Sequence, residues 1–134
     1  DGRRTYGMLG SPLYMAPEQV AARPVDARAD LYAAGVVLYE MLTGALPFTG
    51  GTALEAALAR LSQPPRDILS VRTDVPAPLA QLVHHCLALE PERRPASAAE
   101  IAERLRGWLR AAGETLAGAS ATHLLAATPR EPLP

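Results

Sequence analysis

Apolar positions along the chain group into helical patterns separated by turn-rich segments. The longest pattern opens at Asp26-Ala27-Arg28-Ala29-Asp30, runs through Leu31, Tyr32, Ala33, Ala34, Val36, Val37, Leu38, Tyr39, Met41 and Leu42, and stops at Thr43-Gly44. Its apolar residues lie on every face, which places this helix at the centre of a domain. A short helical turn is expected before it, from Pro17 to Ala22. After it, Thr52-Ala53-Leu54-Glu55 has the spacing of a capping box and predicts a short helix to about Leu61. Pro78 suits the first turn of a further helix, in which Leu79, Leu82, Val83, Cys86 and Leu87 form one apolar stripe while Gln81 and His85 face the other way. Ser97-Ala98-Ala99-Glu100 is a second capping box. Ala98, Ile101, Ala102, Leu105, Trp108 and Leu109 continue the period to an expected stop near Gly113.

The intervening segments carry the opposite signals. Residues 1–15 mix Gly, Ser, Thr, Pro and Tyr without a period and read as a loop. Gly44 to Gly51 is a loop holding Pro47 and Phe48. Gln63 to Pro78 is proline-rich and reads as an extended surface connection anchored by Ile68, Leu69 and Val71. The last ~20 residues, rich in Ala, Thr and Pro, resemble a linker.

Composition sharpens this picture. With 134 residues and 49% hydrophobic content the chain suits one compact domain, and because aromatics are only 4%, the interior must be built mainly from Ala, Leu and Val at helical positions. The net charge of -1, without a sustained run of either sign, leaves no electrostatic footprint for a nucleic acid or an acidic membrane surface. Nucleic acid is therefore not an expected partner. Cys86 is the only cysteine, which suits a reducing compartment, and the expected location is cytoplasmic. No stretch approaches the ~18 to 20 apolar residues of a membrane span. Asp1-Gly2-Arg3-Arg4 resembles neither an initiator nor a signal peptide, so the start reads as cut. All 13 basic residues are arginine.

The motif Gly10-Ser11-Pro12-Leu13-Tyr14-Met15-Ala16-Pro17-Glu18 resembles the end of a protein-kinase activation segment, including its Ala-Pro-Glu triplet. It is followed, at the family's spacing, by Asp30-Leu31-Tyr32-Ala33-Ala34-Gly35, by Leu38-Tyr39-Glu40-Met41-Leu42-Thr43-Gly44 with Pro47-Phe48, and by Pro91-Glu92-Arg93-Arg94-Pro95. The resemblance covers about residues 1 to 110 and is closest in wording to bacterial, eukaryotic-like serine/threonine kinases, matched at Tyr14 to Gln19. It implies a mainly α fold: the helical part of the large C-terminal lobe, without the small lobe and catalytic loop. Residues 1–18 would be the end of the activation segment and the substrate-docking loop, 19–111 the helical lobe, and 112–134 a linker or disordered tail.

Each motif acquires a role through the resemblance. Glu18 and Arg94 match the ion pair that fastens the activation segment to the lobe. Asp30 matches a carboxylate near the start of the buried central helix that accepts hydrogen bonds from backbone N–H groups of the catalytic loop. Gly10, Ser11, Pro12, Leu13 and Tyr14 would form the pocket for the residue after the phosphoacceptor, and Ser11 with Tyr14 favours Ser or Thr as that acceptor. Thr5 has the spacing of an activation-loop phosphosite, where phosphate would add about -1.5 to -2 charges. His84-His85-Cys86 is not read as a metal site, because consecutive helical residues point about 100° apart. Cys86 is expected in the core, the histidines on the surface, and Trp108 as a core anchor.

Kinase chemistry needs a Gly-rich loop and a lysine on the phosphates, an Asp and an Asn for Mg²⁺, and an Asp that accepts the substrate proton. The sequence holds no Gly-x-Gly-x-x-Gly, no His-Arg-Asp, no Asp-Phe-Gly and no lysine. The expectation is therefore a fragment of a serine/threonine kinase that supplies substrate docking and anchoring, has no catalytic, cofactor-binding or metal residue of its own, and is inactive alone. ATP and Mg²⁺ belong to the full-length parent, whose membrane anchoring after the C-terminus is left open. The expected partners are a protein with a Ser/Thr acceptor and the missing N-terminal part of the kinase domain. Without that part the central helix would keep an apolar side open, giving an association-prone fold. The alternative is a free-standing helical docking or regulatory module, a truncated pseudokinase that binds protein partners without catalysis.

Overall fold

The computed structural model describes residues 12–126, with side chains from residue 12 to 118. Among the described residues the regular structure is entirely helical. A 3-10 turn, Pro12–Tyr14, leads to α1 (Pro17–Val20), α2 (Arg28–Thr43), α3 (Ala53–Ala59), α4 (Ile68–Val71), α5 (Ala77–Cys86), a second 3-10 turn, Pro91–Arg93, and α6 (Ala98–Ala126). This is the mainly α architecture expected of a large-lobe fragment.

The long central pattern forms α2, which buries Leu31, Tyr32, Gly35, Val36 and Tyr39. It ends at Gly44, whose φ of 72° lies in the left-handed region that costs glycine no Cβ clash, and whose N–H closes the last turn on the Glu40 carbonyl. Helix α5 crosses α2 with Leu82, Val83 and Cys86 buried. Gly35 makes that crossing possible: a Cβ there would stand 2.7 Å from the Cys86 Cβ, closer than two carbons can pack. Tyr32, Val36, Tyr39, Ile68 and Val83 fill the main core, while Leu31, Leu82, Cys86 and Ile101 form a second cluster under α6.

One side of α2 stays open. Val37 is 45% and Met41 73% exposed, although both belong to the apolar pattern that predicts a buried helix.

Both capping boxes form, with a difference. At α3, Thr52 Oγ1 accepts from the Glu55 N–H and Glu55 accepts from the Thr52 N–H. At α6, Ser97 Oγ accepts from the Glu100 N–H, but Glu100 reaches back to the Ala96 N–H.

Three local expectations are corrected. The connection from Gln63 to Pro78 is not extended throughout: it contains α4, a four-residue turn too short to leave a period in sequence. It is held because Ile68 is fully buried, the Asp67 carboxylate accepts from the Leu69 N–H, and Tyr39 donates its hydroxyl to the Arg66 carbonyl. Helix α6 does not stop near Gly113 but runs to Ala126, so most of the segment 112–134 expected to be a linker is helical. Glycine inside a helix costs only about 1 kcal/mol, which the surrounding Ala, Leu and Glu residues offset. Lastly, His84 and His85 are not free surface residues but half-buried and partnered. His84 accepts the Ile68 N–H at Nε2 (3.1 Å) and stands edge-on to the Tyr39 ring, and His85 Nδ1 lies 2.7 Å from an Arg104 guanidinium nitrogen. Cys86 is fully buried, where burial pushes its thiol up to about 11.

Candidate docking and anchoring site

Helix α1 has a single turn, yet it carries a buried carboxylate. Glu18, in the first turn, is 7% exposed. The turn is set by Pro17 at its start and by Gln19, whose side chain accepts the Ala16 N–H at 2.8 Å.

Arg94 comes from the loop before α6, 76 residues away, and meets Glu18 face to face. Its two terminal nitrogens donate to Glu18 Oε1 and Oε2, both at 2.8 Å. The remaining donors are also used: Nε goes to the Ala88 carbonyl, Nη1 also to the Arg28 carbonyl, and Nη2 also to the Leu89 carbonyl. All five guanidinium N–H groups thus have acceptors. The group lies over the Tyr32 ring, 5.0 Å from its centroid. One arginine therefore joins α1, the start of α2 and the segment that follows α5.

Before α1, the segment from Pro12 to Ala16 lies across α2 and α3. Tyr14 donates its hydroxyl to Glu40 of α2 at 2.8 Å, and this bond to a carboxylate holds the phenol above its ordinary value. Pro12, Leu13 and Tyr14 are half-buried. Gly10, Ser11 and Thr5 lie outside the described residues.

Asp30 stands in the first turn of α2, as expected, but it is exposed. It shares the open side of α2 with Val37 and Met41, at i, i+7 and i+11. The structure therefore brings Glu18 and Arg94 together, places Tyr14, close to Glu18 in sequence, on another partner, and leaves Asp30 apart.

Arg60 escaped the sequence reading. It follows the last turn of α3 and is 3% exposed, with its guanidinium donating to the carbonyls of Leu13 (3.0 Å) and Met15. It lies over the rings of Tyr32 and Phe48, 5.8 and 5.4 Å from their centroids. Burial pulls the guanidinium below its ordinary value. The sequence pattern pointed away from it. Arg60 stands at i+4 and i+3 from Ala56 and Ala57, the buried residues of α3, whereas Leu54 and Leu58 are 62% and 49% exposed. Helix α3 thus buries alanine and arginine and exposes leucine, inverting the usual amphipathic code.

Among the described residues no group of histidine, cysteine and carboxylate side chains could hold a metal ion, and no helix is long and apolar enough to cross a membrane.

A bidentate carboxylate–guanidinium pair between Glu18 and Arg94 is the contact that the motifs anticipate. The model of the protein kinase domain matches residues 2–105. The chain belongs to the protein kinase family. Among characterised kinases it is 43% identical over 103 residues to the serine/threonine-protein kinase PkaA of Streptomyces coelicolor, covering 77% of this chain and 18% of that protein. It is 43% identical over 99 residues to Pkn1 of Myxococcus xanthus, covering 74% of this chain and 14% of that kinase. Against the serine/threonine-protein kinase PknB of Mycolicibacterium smegmatis it is 36% identical over 132 residues, covering 96% of this chain and 21% of that protein. The chain therefore spans about a fifth or less of the length of these kinases, and corresponds to a helical fragment of a bacterial-type kinase domain.

Proposed function

We propose that this chain is the substrate-docking and activation-segment-anchoring part of a protein serine/threonine kinase, and that it supplies no phosphate-handling group. The observation that carries this reading is the Glu18–Arg94 lock, which fixes the chain immediately after the docking segment to the body of the lobe. The protein substrate, bearing a Ser or Thr acceptor, would meet Gly10 to Tyr14. ATP and Mg²⁺ would be held by kinase parts outside these 134 residues, since this sequence has neither the lysine nor the Gly-rich, His-Arg-Asp and Asp-Phe-Gly motifs for that task. Asp30, Val37 and Met41 form the side of α2 on which those parts would pack, and the exposed Asp30 carboxylate is free to accept backbone N–H groups there. Phosphorylation of Thr5 is a regulatory step that the same reading allows.

The test is complementation. The chain, joined behind the ATP-handling half of the PkaA kinase domain, should transfer phosphate from ATP–Mg²⁺ to a basic protein substrate, whereas the chain alone should not. Transfer by the chain alone, above a control without protein, would overturn the assignment of phosphate handling to other parts. Failure of the joined protein, together with tight binding of a protein substrate by the chain, would favour a non-catalytic docking module instead.

A further inference from the structure

We propose that Arg60 is a positioning residue for the docking segment: its guanidinium fixes the backbone on either side of Tyr14 and thereby sets where the protein substrate is received. The inference rests on the reading of Pro12 to Tyr14 as part of the docking loop.

An arginine at the end of a surface helix ordinarily buries its stem and keeps its charge in water. Arg60 does the reverse. Among the described residues no carboxylate forms an ion pair with it, and its buried Nε has no hydrogen-bond partner. Burying a cation without an anion is costly, so the compensation must come from what does surround it: two backbone carbonyls and two ring faces.

The choice of acceptors is informative. A carboxylate partner would tie Arg60 to one side chain, whereas carbonyls tie it to the path of the main chain whatever the side chains are. The carbonyls belong to Leu13 and Met15, so a rigid planar fork spans the peptide units around Tyr14 and sets both their distance from α3 and their orientation. Tyr14 is held separately, by Glu40 of α2. The docking segment is thus suspended between α2, through a side chain, and the end of α3, through its backbone. Tyr32 and Phe48 prevent the guanidinium from swinging away.

The experiment compares the 134-residue chain with Arg60→Met and Arg60→Lys variants by amide hydrogen exchange. Arg60→Met should speed exchange at Leu13 to Met15 by at least about tenfold, the loss of roughly one charge-assisted bond, and leave Leu82 to Cys86 of α5 unchanged. Arg60→Lys, which keeps the charge but not the fork, should fall between. Equal acceleration in both regions, or none at Leu13 to Met15, overturns the proposal. If Arg60→Met does not fold, the same comparison is read from Arg60→Lys. In the joined kinase described above, Arg60→Lys should raise KM for a peptide substrate several-fold and leave KM for ATP unchanged. A loss confined to kcat overturns a positioning role. Absence of transfer in the unsubstituted joined protein would count against the kinase reading, while the exchange measurement would still decide the backbone clamp.

Discussion

Among the described residues two arginines are buried, and they are buried in opposite ways. Arg94 faces a carboxylate, uses all its donors and gathers three parts of the chain. Arg60 faces only carbonyls and rings and keeps one nitrogen bare. Tyr32 lies under both, with centroid distances of 5.0 Å to Arg94 and 5.8 Å to Arg60. The difference separates a lock from a gauge. A neutralised pair is strong because breaking either half strands the other as an uncompensated buried charge. A cation on carbonyls strands no partner charge when it is removed, so it adjusts geometry at smaller stake.

The largest effect is expected at the lock. Arg94→Met leaves Glu18 buried without its partner and should lower unfolding free energy by about 3–5 kcal/mol, measured by urea denaturation. Glu18→Gln combined with Arg94→Met should recover part of that loss, because no charge is then stranded. A purely additive double variant would remove the distinction between the two sites. Arg60→Met should cost less, about 1–3 kcal/mol, with no penalty for a stranded anion. A loss as large as that of Arg94→Met would erase the comparison.

The shared ring gives a smaller and more selective test. Burial pushes the Tyr32 phenol up to about 12 from an ordinary 10.0. Between those values the unfolded chain has lost the phenolic proton and the folded chain still holds it, so stability should fall as pH rises through that window. Denaturation midpoints from pH 9.5 to 11.5 should show this decline, and Tyr32→Phe should make it shallower, leaving the part due to Tyr14 and Tyr39, whose phenols are also held above their ordinary value. Thr52→Ala should be the mildest, about 1 kcal/mol, because it removes only the hydroxyl that caps α3. Since Arg60 follows the last turn of α3, amide exchange should quicken at Leu13 to Met15 while the residues around Arg94 stay protected. Equal loosening at both would show that the two sites are not independent.

How much of this could be read from the sequence varied with the length over which the signal extends. The central helix was legible because its apolar run is long and ends at a glycine that the left-handed turn requires. The α3 cap was legible because Thr52 and Glu55 are three residues apart. Nothing in composition or period joins Glu18 to Arg94 across 76 residues; their pairing was suggested only by family motifs. Helix α4 was legible only as the anchor residues Ile68, Leu69 and Val71 and not as a helix, since four residues hold no period and the contacts that hold it to Tyr39 and His84 are tertiary. Arg60 was missed because a charged residue is assumed to mark a wet face. Here the two alanines of α3 mark the buried face, their small side chains lying beside a guanidinium. Asp30 is the complementary case: its place in the first turn of α2 was legible, and among the described residues nothing covers it.

Helix α6 spans 29 residues, or about 43 Å of rod at 1.5 Å per residue. Among the described side chains its grip on the lobe is firmest in its first turns, where Ile101 is buried and Leu105 packs against the second core cluster, while Leu109 and Leu116 are 58% and 69% exposed. The rod is joined to the Arg94 loop by Pro95, Ala96 and Ser97 alone. Mechanically it is a long arm on a short fulcrum, so a modest sideways load at its far end is multiplied where it meets the body. The first place to feel that torque is the loop carrying the Glu18–Arg94 lock.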